Sequence, residues 1–150
     1  AVRGPTGCRY LDDARQANYV KAGWNYPGDT YVRDADGYFW FQARSDDMIV
    51  SSGYNISGPE VEQALLTHAA VSECGVVGLA DADRGAVVTA FVVVRAGVTA
   101  DAALATSLQE HVKATIAPYK YPRSVRFVPE LPKTASGKLR RNVLREQTSR

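Results

Sequence analysis

The sequence has 150 residues, of which 45% are hydrophobic and 23% charged, with a formal net charge of +2. This composition excludes a disordered chain and is sufficient for one domain core. No apolar run approaches the roughly 20 residues that span a bilayer, and the first residues lack the apolar core of a signal peptide. We therefore expect a cytoplasmic protein that does not bind membranes.

The first 43 residues contain one predicted β-hairpin. Residues 30–33 and 38–41 are rich in aromatic and β-branched side chains, and they flank the loop 34–37, whose Gly37 can adopt a positive φ. Residues 1–43 hold too little apolar material for a core of their own. We expect them to pack on a domain beyond this sequence or on the residues that follow.

A second unit begins at the charged turn 44–47. Residues 48–50 form a predicted strand, residues 51–55 a predicted turn, and Ser57 with Glu60 a predicted capping box that opens a helix. Two apolar, β-branched strands follow at 76–79 and 86–94, and we expect them to pair antiparallel.

The longest predicted helix starts at Thr99 or Asp101 and ends at Pro118. It carries apolar residues at fourfold spacing, namely Leu104, Leu108, Val112 and Ile116. A last strand is predicted at 124–128. The expected fold class is α+β, a small domain with a mainly antiparallel sheet and covering helices.

The last third of the chain is basic and ends in a lysine loop. From residue 119 to 150, nine Lys or Arg stand against two Glu, a net charge of +7, whereas residues 1–118 carry −5. The segment 132–138, Pro-Lys-Thr-Ala-Ser-Gly-Lys, predicts an exposed loop that presents Lys138. It lacks the first glycine and the Ser or Thr of a Walker loop, so the pattern indicates another anion site, for a nucleotide or for CoA. No nucleic-acid-binding signature is present, which disfavours nucleic acid as the partner.

The cysteine and histidine residues predict no metal site. Cys8 and Cys74 lie far apart without metal-ligand spacing, so we expect simple burial. His68 and His111 lie in helical patterns without a second ligand nearby. Both tryptophans and the eight tyrosines are expected to serve in packing.

Four motifs in a fixed order carry a family resemblance. They are residues 23–29 (Gly-Trp-Asn-Tyr-Pro-Gly-Asp), 43–49 (Ala-Arg-Ser-Asp-Asp-Met-Ile), 52–56 (Ser-Gly-Tyr-Asn-Ile) with 60–62 (Glu-Val-Glu), and 119–123 (Tyr-Lys-Tyr-Pro-Arg) leading to 132–138. Together they resemble the C-terminal end of adenylate-forming enzymes. Within that superfamily, the chain is most similar to benzoate and 2-aminobenzoate CoA ligases and to medium-chain acyl-CoA synthetases.

The resemblance implies a two-domain ligase of which this chain is the C-terminal fragment, inactive alone. Residues 1–43 would be the tail of a large N-terminal AMP-binding domain, and residues 44–150 the mobile lid. ATP and Mg²⁺ would be bound mainly by that missing N-terminal domain, together with a small carboxylic acid. Lys138 matches the lysine that serves adenylation, Asp29 the acid that binds the ribose hydroxyls, and Arg44 an arginine that contacts the nucleotide.

The resemblance also implies a rotation of the lid and a binding path for CoA. Asp46 matches the hinge residue. Ser52-Gly53-Tyr54 matches the lining of the pantetheine tunnel. Arg84, Lys113 and Tyr121 match positions that hold the CoA nucleotide, the two cations on phosphate and the ring on adenine.

The chain departs from the family pattern at three positions. Pro27 replaces the usual Thr before Gly28 and Asp29, Ala43 replaces the usual Gly before Arg44, and Asn55 stands where many relatives have arginine. A second class of function is a stand-alone module in which the basic tail binds CoA, a nucleotide or RNA without catalysis.

Overall fold

The computed structural model describes residues 1–3, 14, 16–45 and 47–146. They divide into two compact units, residues 1–46 and residues 47–150. The predicted assignment of residues 1–43 to a larger domain stays a prediction. In the described part of the chain, no helix is long and apolar enough to cross a membrane.

The first unit consists of short elements and one longer hairpin. Its elements are α1 (Gln16–Tyr19), β1 (Val20–Lys21), β2 (Trp24–Asn25), β3 (Asp29–Arg33) and β4 (Phe39–Arg44). Strands β3 and β4 pair antiparallel, as the sequence predicts. In the turn between them, the Asp34 carboxylate accepts hydrogen bonds from Trp40 Nε1 at 2.6 Å and from the Tyr38 amide at 2.8 Å. The bond from Trp40 is the main reason that the pKa of Asp34 is lowered.

The second unit contains the longer elements. They are β5 (Met48–Ser51), β6 (Tyr54–Ser57), α2 (Gly58–Leu66), β7 (Val71–Asp81), β8 (Gly85–Val94), α3 (Ala102–Thr115), a 3₁₀ helix (Pro118–Lys120), β9 (Ser124–Phe127) and α4 (Arg141–Glu146). Strand β8 lies in the centre of a three-stranded sheet, antiparallel to β7 and parallel to β9. The predicted α+β class with a mainly antiparallel sheet is confirmed.

The sheet buries apolar side chains on both faces because residues alternate along β8. Val88, Ala90 and Val92 belong to one core cluster, with residues of α2 and α3. Phe91 belongs to a second cluster, which includes Leu144 of α4. The sheet is therefore covered by two helices on one face and by the C-terminal helix on the other.

Both long helices begin at side-chain caps. Ser57 Oγ accepts a hydrogen bond from the Glu60 amide at 3.4 Å, and Asp101 Oδ1 accepts one from the Leu104 amide at 2.8 Å. Asp101 is therefore the cap of α3, which settles the choice between Thr99 and Asp101. The helix ends at Thr115, before the predicted stop at Pro118, where the 3₁₀ helix starts.

One predicted turn is wrong in its extent. Residues 51–55 were expected to form a turn, but Ser51 ends β5 and Tyr54 starts β6, so only Ser52 and Gly53 form the loop. Ser52 and Gly53 both have positive φ, 50° and 81°. Positive φ at both loop residues is typical of two-residue hairpin turns, because such turns match the twist of the paired strands. A glycine at position 53 adopts this conformation without strain.

Candidate functional site

Lys138 lies at the end of a short loop that is held by its own hydrogen bonds. The Thr134 amide donates to the Lys138 carbonyl at 2.8 Å, and the Lys138 amide donates to Thr134 Oγ1 at 3.1 Å. Gly137 closes the loop with a φ of 82°. The Lys138 side chain is exposed, and no carboxylate of the described residues lies within ion-pair distance of it. The loop therefore presents an ammonium group to solvent.

The residues after Lys138 anchor the loop to the sheet. Leu139 and Leu144 pack over Gly75 of β7 so closely that a β-carbon there would lie 2.8 Å from Leu139 Cδ2 and 3.0 Å from Leu144 Cδ1. Glycine at this position thus permits the close approach of α4 to the strand. The position of Lys138 depends on this contact because Leu139 is its neighbour in the chain.

A group of ion pairs fixes α4 from its polar side. Arg141 Nη2 lies 2.6 Å from Glu62 Oε2, and Arg145 Nη2 lies 2.7 Å from Asp47 Oδ1. Glu62 also accepts the Val76 amide at 2.8 Å. Asp47 and Glu62 are largely buried, and burying a carboxylate without a paired cation is costly in free energy. The start of the unit, helix α2 and the C-terminal helix are thereby joined.

The turn between β5 and β6 contains three of the predicted CoA-binding residues, Ser52, Gly53 and Tyr54. Arg84, a fourth predicted CoA-binding residue, contacts this turn. Arg84 Nη1 donates to Ser52 Oγ at 3.0 Å, and the Ser52 amide donates to the Arg84 carbonyl at 2.9 Å. A β-carbon on Gly53 would have no heavy atom within 4 Å, so the space over this glycine is open. Tyr54 is half exposed and stacks on Tyr119, with ring centroids 4.6 Å apart.

The other two predicted CoA-binding residues also meet. The Lys113 ammonium lies 4.3 Å from the ring centroid of Tyr121. The Arg123 guanidinium lies 4.8 Å from the same centroid, and its Nη1 donates to the Tyr121 hydroxyl at 2.8 Å. Lys113 in addition forms an ion pair with Glu110 at 2.7 Å. The Tyr121 ring thus contacts two cations.

In the first unit, Asp29 and Arg44 face each other at the end of the β3–β4 hairpin. They are cross-strand partners, and Arg44 Nη1 lies 3.6 Å from Asp29 Oδ1. This pairing presents a carboxylate and a guanidinium side by side. The predicted hinge residue, Asp46, lies outside the described residues.

The two histidines form a contact between α3 and the end of α2. Their rings meet edge to face with centroids 5.1 Å apart. The Ala70 amide donates to His68 Nδ1 at 3.2 Å, and Thr67 Oγ1 lies 2.7 Å from His111 Nε2. Burial, and secondly the neighbouring His111, lower the pKa of His68 from its ordinary value near 6.5.

Cys74 is partly buried in β7, and its thiol lies 3.5 Å from the Glu62 carbonyl. Burial, followed by the charge of Glu62, raises the pKa of this thiol to about 12. Cys8 lies outside the described residues. Within the described part of the chain, no group of three His, Cys, Asp or Glu side chains is arranged to hold a metal ion.

The structure thus forms three groups from the predicted site residues. The groups are Asp29 with Arg44, the 52–54 turn with Arg84, and Lys113 with Tyr121. Sequence reasoning quoted Arg123 in the motif 119–123 without giving it a role, and it missed the ion pairs of Arg141. These ion pairs join residues too distant in sequence to be inferred.

An α+β domain that presents a loop lysine and a basic surface fits the small domain of a nucleotide-dependent enzyme. Residues 60–138 match the family model described as the AMP-binding enzyme C-terminal domain, more than half of the chain. The chain belongs to this family. The predicted resemblance to adenylate-forming enzymes is confirmed.

Three relatives illustrate the match. The human protein named acyl-coenzyme A synthetase ACSM4, mitochondrial, is 51% identical over 93% of this chain and 24% of its own length. The anthranilate CoA ligase AuaEII, solved with anthranoyl-AMP, is 40% identical over 89% of this chain and 26% of that chain, with a TM-score of 0.78. ATP-bound MatB from Rhodopseudomonas palustris is 31% identical with the same coverages and TM-score. The chain spans about a quarter of the length of these relatives.

Proposed function

We propose that this chain is the C-terminal part of an ATP-dependent carboxylate–CoA ligase. A carboxylate oxygen attacks the α-phosphorus of ATP and releases pyrophosphate, and the CoA sulfur then attacks the acyl carbon and releases AMP. Residues 44–150 act as the lid and residues 1–43 as the tail of the AMP-binding domain. The proposal rests on the family match and on the relatives, whose names include acyl-CoA synthetases and a CoA ligase.

The observation that carries the proposal is the presentation of Lys138. Negative charge accumulates on the phosphate oxygens during adenylation, and a fixed cation stabilises that charge without reorganisation. Lys138 is exposed on a loop held by hydrogen bonds, and no carboxylate of the described residues neutralises it. We assign to its ammonium group the role of bridging the reacting carboxylate and the α-phosphate.

The first unit would contribute nucleotide contacts. Asp29 accepts hydrogen bonds from the ribose hydroxyls, and Arg44, which lies beside it, approaches the phosphate. Mg²⁺ would accompany ATP and neutralise its phosphates. It would be held mainly by the N-terminal domain together with the ATP phosphates.

The lid would rotate between the two steps, with Asp46 as the pivot. Asp47 supports this position of the pivot because Arg145 and Arg141 bind its carboxylate, so it moves with the second unit. A large change of φ and ψ must then occur just before Asp47. After rotation, the 52–54 turn with Arg84 would line the pantetheine path, and the Lys113–Tyr121 group would bind the CoA nucleotide.

An aryl or medium-chain acid is the proposed substrate, with benzoate and 2-aminobenzoate foremost. The support is the AuaEII structure, which contains anthranoyl-AMP. We also propose a cytoplasmic location, while the human relative is named as mitochondrial.

The test is a hybrid enzyme in which this chain replaces the matching part of human ACSM4. Pyrophosphate exchange into ATP reports adenylation, and thioester formation from supplied acyl-adenylate reports the second step. Lys138→Ala should lower adenylation by about 100-fold or more and change thioester formation by no more than a few fold. Lys133→Ala is the matched control, since Lys133 lies in the same loop region but pairs with Glu73.

Two results would contradict the proposal. Equal loss of both half-reactions in Lys138→Ala would show that the assigned role of this lysine is wrong. An inactive hybrid together with salt-dependent CoA binding by the chain would instead support a stand-alone binding module.

A further inference from the structure

We propose that Arg141 is a positioning residue for adenylation. Its ion pair with Glu62 of α2 fixes the place at which the lysine loop, residues 132–138, joins the domain, and thereby the position of the Lys138 ammonium group. The inference rests on the proposed function, which gives Lys138 its part in adenylation. It goes further because it assigns a role in that step to a residue outside the matched motifs.

The lysine loop forms one unit because its two stems are paired. The Arg140 amide donates to the Pro132 carbonyl at 2.8 Å, and Lys133 forms an antiparallel bridge with Leu139. One stem therefore cannot shift without the other. The location of Lys138 is then set by the contacts that attach the second stem and α4 to the rest of the domain.

These contacts are of two kinds, and both act on β7. One is the apolar packing over Gly75. The other is the ion pair, in which Arg141 Nη2 donates to both carboxylate oxygens of Glu62 at 2.7 and 2.6 Å. Glu62 Oε1 in turn accepts the amide of Val76, the residue after Gly75, at 2.8 Å. Apolar packing is non-directional, whereas charge-assisted hydrogen bonds have a defined geometry, so the ion pair sets the orientation of α4 over the strand.

The burial of the ion pair supports a geometric role. The side chains of Arg141 and Glu62 are 20% and 14% exposed, and Arg141 Nε is buried without a hydrogen-bond partner in the described part of the chain. Removing both charges from water is costly, and apolar side chains of similar volume often give equal or greater stability. The ion pair is therefore better explained by the arrangement that it imposes on α2 and α4 than by a net gain in stability.

Adenylation is the half-reaction that should respond to this arrangement. A cation stabilises the charge on the α-phosphate only from a defined position, and a displacement of about 1 Å can lower a rate by about 100-fold. Thioester formation does not use Lys138 in the proposed function. A positioning role for Arg141 thus predicts the loss of one half-reaction, whereas a general loss of stability predicts the loss of both.

The test is the kinetics of the hybrid enzyme with ACSM4, at a temperature at which every variant is folded. Arg141→Gln should lower kcat of adenylation about tenfold. The KM for ATP and the rate of thioester formation from supplied acyl-adenylate should change by less than about twofold, because neither depends on Lys138. Arg141→Lys keeps a cation for Glu62 but not the planar guanidinium, so adenylation should fall by an intermediate factor of about three.

Two control variants separate position from charge and from stability. Arg140 is exposed and lies between Lys138 and Arg141, so Arg140→Gln removes the same charge but retains the ion pair. It should change adenylation by less than about twofold. Leu108→Ala opens a cavity in the core cluster that α3 covers, on the face of the sheet opposite to α4. It should leave the ratio of the two half-reaction rates unchanged.

The partner of Arg141 is tested by Glu62→Gln. This variant should lower adenylation by about the same factor as Arg141→Gln, and the double variant should lose no more than either single variant. Additive losses would show that the two residues act independently and would contradict their pairing as the positioning contact.

The inference is wrong if Arg141→Gln leaves adenylation unchanged or lowers both half-reactions equally. Lys138→Ala in the same hybrid decides the proposed function by itself, so the two can fail separately. If the hybrid is inactive, amide hydrogen exchange in the 150-residue chain decides. Arg141→Gln should then speed exchange of the Arg140 amide about tenfold relative to the amides of β8. Equal acceleration at both places would contradict the inference.

Discussion

The two units of the chain place their large apolar side chains in opposite environments. In residues 47–146, Leu65, Leu108 and Phe91 are almost completely buried around the sheet. In the β3–β4 hairpin of the first unit, Phe39 is 67% and Trp40 61% exposed. The hairpin is held by strand pairing, by the Asp34 contacts and by edge-to-face contacts of Tyr31 with its neighbours. This difference indicates that the second unit contains the hydrophobic core on which folding stability depends.

The largest predicted effect tests this comparison directly. Leu65→Ala should lower the free energy of unfolding by about 3 kcal/mol, because it opens a cavity among side chains that cannot fully close it. Phe39→Ala in the hairpin should change it by less than about 0.5 kcal/mol. Urea unfolding followed by circular dichroism measures both. Similar losses for the two variants would show that the hairpin aromatics are as important to stability as the core.

A second prediction compares a buried and an exposed ion pair within the second unit. Arg141→Gln should lower the free energy of unfolding by about 2 kcal/mol, because it leaves the largely buried Glu62 carboxylate without its cation. Lys133 forms a more exposed ion pair with Glu73. Lys133→Gln should therefore lower the free energy of unfolding by less than about 0.5 kcal/mol. The same urea titrations decide the question. Equal costs would mean that the Arg141 contacts do not anchor α4.

The smallest effect concerns pH. A lowered pKa for His68 means that the folded protein binds fewer protons than the unfolded chain, so stability rises with pH. The contribution is fully present above the ordinary histidine pKa near 6.5 and is lost as pH falls through the lowered pKa of the folded state. His68→Gln should therefore reduce the loss of stability between about pH 7.5 and 5.5. Thermal unfolding at both pH values measures this loss of stability. An equal loss in His68→Gln and in the unmodified chain would show that His68 does not contribute to the pH dependence of stability.

Local sequence patterns predicted most of the elements of the second unit. The fourfold spacing of Leu104, Leu108 and Val112, with a cap at Asp101, located α3 because these signals are local. Strand β8 was recognisable from its β-branched run. Strand β7 starts at Val71, five residues before the predicted start at Val76, because pairing with β8 includes Glu73 and Gly75, which have little strand preference themselves.

The sequence allowed us to predict the exposed loops of the candidate site but not the ion pairs around it. The composition of residues 132–138 and the turn residues Ser52 and Gly53 marked exposed loops directly. The sequence did not reveal which cations are neutralised. Lys120 pairs with Glu60 across 60 residues and Arg141 with Glu62 across 79, so these contacts exist only after the sheet has formed.

The ion pair between Arg145 and Asp47 joins positions 98 residues apart, close to both ends of the described second unit. Domains whose chain ends lie close together tolerate circular permutation. A short linker from the end of α4 to Asp47, with new termini in the exposed turn between Ala96 and Gly97, would preserve the sheet and the lysine loop. Such a rearranged second unit would no longer be attached through residues 44–46, so its folding and ligand binding could be studied apart from its attachment.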